Sequence, residues 1–410
     1  MKPNMVIFIA RVAGVKRLIK GKPLFALLLC VCLGMQGYAQ EPAQPAEVLT
    51  FRKKAILDKA DKALQERPVT ITAFVCPRSA GDRHEFYSEG DYWWPDPKHP
   101  DGPYIQRDGE TNPENFVEHR HAMIRLSQIM GDLAAAYLVT HDKKYLEKAL
   151  QHALAWFVDT ATLMRPNLQY AQAIKGRVTG RGIGIIDTIQ LLEVAQALRI
   201  MEEAGVIPAA ELQALKAWFS EYERWLVNSD YGKAEMNAKN NHGTCWALQA
   251  AAFARFTNNE QLLEFCRRRY REVFLPKQMA TDGSFPLELA RTKPYGYSLF
   301  NLDAMAGLCQ ILSDPQHDLW SYSTADGRGI RQGIRFMYPY VADKGKWPYR
   351  KDVMHWESWP VAQPFLVFGA VAFHSEDYLR LWERLDHDPQ DEEVIRNLPI
   401  RHPVLWLGSR

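Results

Sequence analysis

The chain has 410 residues, is 47% hydrophobic and carries a formal net charge of +2. That length supports a large core in one big domain or two. The near-neutral balance excludes a bulk electrostatic nucleic-acid binder, so an acidic ligand must be met by a local basic cleft.

The amino terminus reads as a targeting segment. Arg11, Lys16, Arg17, Lys20 and Lys22 form a basic region, residues 24–33 a short apolar core, and Tyr38-Ala39-Gln40 a cleavage site. The apolar run is too short to span a bilayer, so residues 1–40 are expected to be a secretory signal peptide. The remaining 41–410 are then a single domain of a periplasmic or secreted protein. Cys30 and Cys32 lie inside the signal, and neither follows the small residue that lipidation needs. The spacing of Cys76, Cys245, Cys266 and Cys309 is not a zinc pattern, and the last three read as buried thiols. No other apolar run is expected to span a membrane.

Glu41 to Glu47 reads as a Pro/Ala linker. A helix follows, with Ile56, Ala60, Ala63 and Leu64 on one face, and Pro68 stops it. Residues 74–115 have no helical period. They interleave Pro77, Pro95, Pro97, Pro100 and Pro103 with Tyr87, Tyr92, Trp93, Trp94 and Tyr104. So long an irregular stretch, and so aromatic a one, predicts an ordered loop over a cleft. Aromatic rings with polar edges suit sugar rings; packing as a hydrophobic lid is the competing reading.

From Phe116 onward the pattern is helical. His119, Met123, Leu126, Met130, Leu133 and Tyr137 recur at helical spacing, and residues 145–157 follow suit. Lys175 to Gly184 is rich in glycine and arginine but lacks the βαβ context of a dinucleotide site. Arg177 and Arg181 can instead reach a carboxylate, or remain solvated. Further helices are marked by Ile185 to Ala195, Leu212 to Leu226, Leu262 to Val273, Leu302 to Leu312 and Ile330 to Val341, with an apolar run at 365–373. Residues 228–241 read as a loop. Helix after helix with short connectors predicts an all-α arrangement of antiparallel pairs. No fixed-period repeat marks a solenoid.

Two stretches carry chemistry. Asn240-Asn241-His242 ends a polar run just before the apolar pattern of Trp246, Ala250 and Phe253. This places Asn241 and His242 at the mouth of a helix, where a cap and the dipole favour an anion. The second stretch is Thr281-Asp-Gly-Ser-Phe-Pro-Leu-Glu-Leu-Ala-Arg291, followed by Tyr295-Gly-Tyr297-Ser-Leu-Phe300. Together they resemble the alginate-lyase superfamily, with its Asn-Asn-His motif and its Asp-Gly-x-x-Pro-Leu-Glu-x-x-Arg followed by Tyr. Gly90 to Pro97 resembles the amino-terminal loop of its Bacteroidetes members. The likeness spans about residues 85–370 and is closest to polysaccharide lyase family thirty-eight, related to family five. It implies an α/α barrel, or toroid, of about six to seven helix pairs.

The resemblance also implies cleavage of a 4-linked uronate polymer by β-elimination; no His-x-x-x-His pair or other metal-ligand spacing appears, so no cofactor or metal is expected. A base removes the C5 proton, the carboxylate must be neutralised, and the leaving oxygen must be protonated. The matching positions supply Asn241, His242 and Arg291 to neutralise charge, His242 as a base from the opposite sugar face, and Tyr297 as acid and same-face base. Arg291 is expected to stabilise the Tyr297 phenolate. Tyr295 competes with Tyr297, because the interval from Arg291 is one residue shorter than in family five. Tyr92, Trp93, Trp94, His119, Arg177, Arg181 and Tyr295 complete the expected substrate-binding set. The partner is then an anionic polysaccharide, alginate or else glucuronan, with no nucleic acid and no membrane span. Two other readings stand beside it. In one, Asp282 and Glu288 are the paired carboxylates of an α/α-barrel glycoside hydrolase; in the other, the protein binds glycans without cleaving them.

Overall fold

The computed structural model describes residues 45–408. The expected signal peptide at 1–40, with Cys30 and Cys32, and the first four residues of the expected linker lie outside them. The first helix, α1 (Pro45–Ala63), already begins within the rest of that linker.

Fifteen further helices follow: α2 (Glu118–Thr140), α3 (Lys144–Phe157), α4 (Leu191–Glu203), α5 (Ala209–Asn228), α6 (Asp230–Met236), α7 (Asn241–Thr257), α8 (Glu260–Arg269), α9 (Leu275–Gln278), α10 (Pro286–Leu289), α11 (Pro294–Leu312), α12 (Ile330–Ala342), α13 (Pro364–Phe373), α14 (Glu376–Arg384), α15 (Glu392–Arg396) and α16 (Val404–Leu407). They sort into two layers. The inner helices α2, α4, α7, α11 and α13 touch in that order, and α3, α5, α8, α12 and α14 pack outside them. The terminal α16 lies against α1, α2, α4 and α11. This is an α/α barrel.

Composition decides the layer. A helix apolar on all sides must be buried, and in α11 seventeen of nineteen residues are. Ala134 to Ala136 of α2 and Ala250 to Ala252 of α7 are fully buried, small enough for neighbouring helices to close up. Outer α14 buries only Leu379, Leu381 and Trp382. By length and apolar character α2 meets the requirement for a membrane span, contrary to the sequence expectation, but its apolar window is 67% buried in the barrel. It is a core helix.

Two departures concern the site. The expected loop at 228–241 contains α6, opened by Ser229, whose hydroxyl accepts from the Gly232 amide. The aromatic stretch is ordered by two small sheets. β1 (Tyr87–Glu89) runs parallel to β4 (Tyr170–Ala173), and β2 (Trp93–Trp94) antiparallel to β3 (Ile105–Gln106). Asn112 and Asn115 pin it from beneath, donating to the Trp93 and Gly90 carbonyls at 2.9 and 3.0 Å.

Candidate active site

A cleft of about 460 Å³ opens between the aromatic loop, the start of α7 and the start of α11. Asn241, His242, Arg291, Tyr297, Tyr92, Trp93 and Arg181 all line it. Residues from four separate parts of the chain therefore converge on one space.

The helix start is built differently from the sequence expectation. Asn240 is the N-cap, with no side-chain cap bond, and Asn241 is the first helical residue. The missing cap comes from α10. Glu288 accepts from the Asn241 backbone amide at 2.7 Å and from its Nδ2 at 2.8 Å. An anion already sits on the first amide of α7, so the substrate does not take that position. Glu288 in turn fixes the Asn241 carboxamide, whose second Nδ2 hydrogen remains for the cleft. Gly243 is required here, because a Cβ would lie 2.3 Å from the Ala238 carbonyl oxygen.

His242 is tied to α6. Its Nδ1 lies 2.6 Å from Oε1 of buried Glu235, which leaves Nε2 as the nitrogen open to a ligand. Burial acts to lower this imidazole. The charge of Glu235, its hydrogen bond and the charge of Glu288 outweigh burial and leave the imidazole above the ordinary histidine value. A carboxylate that fixes the ring and raises its basicity is the arrangement a general base needs.

Tyr297 sits one turn into α11, its hydroxyl 2.6 Å from that of Tyr92. Arg291 lies 4.6 Å from the ring centre and Lys293 5.7 Å. Arg291 acts in the expected direction, toward phenolate, but is outweighed. Burial pushes the phenol well above the usual tyrosine value and Tyr92 adds to this, against smaller opposing effects of Lys293 and Arg291. Arg291 is committed elsewhere, to Asp108 of the aromatic loop at 2.8 Å, and reaches the Tyr297 hydroxyl only at 3.5 Å. In the free protein Tyr297 is a phenol, the form that donates a proton.

The floor is a buried ionic network. Asp91 accepts from Arg120 at 2.8 Å and from Arg396 at 2.7 Å. Burial acts to raise this carboxyl, but the two arginines hold it down at about 2. Lys293 pairs with Glu393 at 2.5 Å. Arg181 donates to the Gln172 carbonyl at 3.0 Å and to its side chain at 3.1 Å.

Four expected substrate contacts lie elsewhere. Tyr295 is fully buried and donates to the Tyr340 carbonyl at 3.0 Å, between Trp347 and Trp356. It belongs to the core and is no rival to Tyr297. His119 is buried too, accepting from the Tyr87 amide at 3.0 Å, with its imidazole lowered chiefly by burial; it holds β1 in place. Trp94 alternates with Trp93 along β2 and turns away from the cleft, stacking with Arg107 and donating to the Glu110 carbonyl. Arg177 lines a neighbouring groove. The paired-carboxylate reading also fails on geometry: Asp282 accepts from the Ser284 amide in a turn, Glu288 caps α7, and neither lines the cleft. Sequence reasoning missed Glu235, Asp108, Lys293, Glu393 and Arg396, and saw in Tyr92 only a sugar platform.

The family model described as alginate lyase matches residues 70–347. An alginate lyase from Bacteroides ovatus of known structure is 32% identical, with a TM-score of 0.75 over 89% of this chain and 97% of that one. Alginate lyase A1-III from Sphingomonas species A1 shares the fold at 15% identity, with a TM-score of 0.50 over 83% and 92% of the two chains. A variant of A1-III complexed with tetrasaccharide gives 16% and 0.50 over 80% and 87%. Among curated protein sequences, none matches this chain. With more than half its length matched by the family model, and 32% identity to a solved member over 89% of this chain and 97% of that one, the chain belongs to the alginate lyase family.

Proposed function

We propose that this protein is a polysaccharide lyase that cleaves alginate by β-elimination, with Asn241, His242 and Tyr297 acting directly on the sugar. The observation that carries the reading is the meeting of a fixed carboxamide, a carboxylate-backed imidazole and a protonated phenol in one cleft.

Removing the C5 proton places negative charge beside an ionised carboxylate. The free Nδ2 hydrogen of Asn241, already oriented by Glu288, donates to that carboxylate as the charge grows. One such preorganised donor is worth roughly 10²–10³ in rate. Arg181 adds positive charge to the same wall. Tyr297 gives its proton to the leaving O4. In guluronate the C5 proton and O4 lie on opposite faces, and His242 Nε2 takes the proton. In mannuronate they lie on one face, and Tyr297 serves as base before it serves as acid. For that it must first ionise, with Arg291 and Lys293 offsetting part of the cost of burial. Tyr92 and Trp93 hold the sugar. The basic and apolar run within residues 1–40 supports export to the periplasm or beyond, with 41–410 as the lyase domain.

Incubation with polymannuronate, polyguluronate and glucuronan tests the reading. The expected product carries a C4–C5 double bond at its new non-reducing end and absorbs in the ultraviolet. New reducing ends without that absorbance mean hydrolysis. Cleavage of glucuronan alone moves the substrate away from alginate.

A further inference from the structure

We propose that the turn 174–178 is a second anion-binding site, at which Lys175 and Arg177 hold carboxylates of the polyuronate chain beyond the sugars at the scission point. The proposal rests on the lyase reading above. A groove of about 680 Å³ lies beside the cleft, lined by this turn together with Arg78 and Glu89.

The turn is rigidly built. The Ile174 amide donates to the Val178 carbonyl at 2.9 Å, and the Val178 amide to the Ile174 carbonyl at 3.1 Å. Gly176 at the tip has φ +74°, and a Cβ there would lie 2.8 Å from Pro103 Cα. The aromatic loop clamps the turn from the other side. The Tyr104 amide donates to the Lys175 carbonyl at 3.1 Å, and Arg177 Nε to the Tyr104 carbonyl at 2.7 Å.

The charges on this turn are uncompensated. Glu89 and Arg78 cancel at 2.5 and 2.7 Å, and Glu89 also accepts from the Tyr87 hydroxyl and the Phe116 amide. Lys175 and Arg177 are exposed and have no carboxylate partner among the described residues. Each lies instead over an aromatic ring, Lys175 over Tyr104 at 5.5 Å and Arg177 over Trp93 at 5.1 Å. Stacking fixes a cation while leaving its outward N–H groups free for an anion.

Exposed loop cations are ordinarily just solvated. Two observations set these apart. The clamp fixes the turn backbone and the Arg177 side chain, and so reduces the conformational freedom that makes exposed ion pairs weak. And the Trp93 ring, which lines the cleft, has Arg181 on the cleft side at 5.8 Å and Arg177 on the groove side. A polyuronate carries one carboxylate per sugar, so a chain leaving the cleft past Trp93 presents its next carboxylates to this turn.

The test is calorimetric titration of saturated mannuronate dimer and hexamer into the full chain carrying Tyr297→Phe, which holds the hexamer uncut. Adding Lys175→Gln and Arg177→Gln is expected to weaken hexamer binding about tenfold, to flatten its salt dependence, and to erase most of the hexamer's advantage over the dimer. Arg177→Lys, which keeps the charge but loses the bond to Tyr104 that holds the side chain, is expected to retain only part of that advantage. Lys175→Gln breaks no side-chain hydrogen bond of the turn and carries the test if Arg177→Gln disturbs the fold. A hexamer loss no greater than that from Lys53→Gln with Lys62→Gln on α1, or an equal loss for dimer and hexamer, overturns the proposal. Failure of the lyase reading shows separately, as absence of unsaturated product from the unmodified protein.

Discussion

Glu235→Gln tests the chemistry of the cleft most sharply. Glu235 is 1% exposed and stands 2.6 Å from His242 Nδ1. Glutamine keeps the shape and an accepting oxygen and removes the charge. A charge-assisted hydrogen bond is worth about 1.5–3 kcal/mol and a neutral one about 1. The difference, about 0.5–2 kcal/mol, is roughly a 2- to 30-fold fall in kcat/KM where His242 is the base. The sign of the pH effect follows from the same pair. In the native protein Glu235, together with Glu288, outweighs burial and holds His242 above the ordinary value. A base works deprotonated, so the acid limb of kcat/KM on polyguluronate is expected above the ordinary histidine value. Without the Glu235 charge part of the opposition to burial is lost and the limb moves to lower pH. The plot of kcat/KM reports the free enzyme, and initial rates of ultraviolet absorbance across pH on both homopolymers supply it. Stability shifts in step. A raised imidazole stabilises the fold fully below its unfolded value and loses that contribution as pH rises through the folded one. The melting-temperature gap between native and variant protein is therefore larger at acid pH than at alkaline. An unmoved acid limb, or equal losses on both polymers, refutes His242 as the guluronate base and leaves it a clamp for the carboxylate.

Tyr297→Phe is expected to abolish cleavage of both polymers, because O4 always needs its proton. Tyr295→Phe should keep kcat and lose about 1 kcal/mol of stability with its bond to the Tyr340 carbonyl, read from a denaturant midpoint; the reverse pattern exchanges their assignments. Trp93→Ala should raise KM with little change in kcat, since stacking acts alike on ground and transition states, and Trp94→Ala should raise it much less. A kcat loss of orders of magnitude at Trp93 puts that ring in the chemistry. Activity is expected to survive EDTA dialysis, as no cluster of three metal-ligand side chains occurs among the described residues. Loss on chelation with recovery on adding calcium or zinc overturns this.

Helix order was legible because the apolar positions that define each stripe lie within one stretch of chain. Layering was legible only in part. The near-absence of polar faces in residues 294–312 marks an inner helix, but nothing local says that α16 will lie against both α2 and α11. The site divides the same way. The residues of the two motifs could be named, because Asn-Asn-His opens a helix and Arg-to-Tyr spans the start of another. Their partners could not. Glu288 reaches Asn241 across 47 positions, Asp108 reaches Arg291 across 183 and Tyr92 reaches Tyr297 across 205. Barrel packing makes those pairs, and no local pattern records them. Glu235 is only 7 positions from His242, yet α6 is too short and polar to read as a helix that would aim it.

The choice between Tyr295 and Tyr297 shows what a local rule can and cannot decide. Both lie in the first turn and a half of α11. Successive residues of a helix turn by about 100°, so positions two apart point nearly opposite ways. One tyrosine must then face the cleft and the other the core, and periodicity alone is indifferent to which. The helix start resolves it. Asp352 accepts the Tyr295 and Gly296 amides at 2.8 and 2.9 Å, fixing the rotation of α11 about its axis. With that rotation Tyr295 enters the aromatic cluster of Trp347 and Trp356, and Tyr297 meets Tyr92 in the cleft. The acid of the proposed reaction is thus selected by a carboxylate about 55 residues downstream that never touches the substrate cleft.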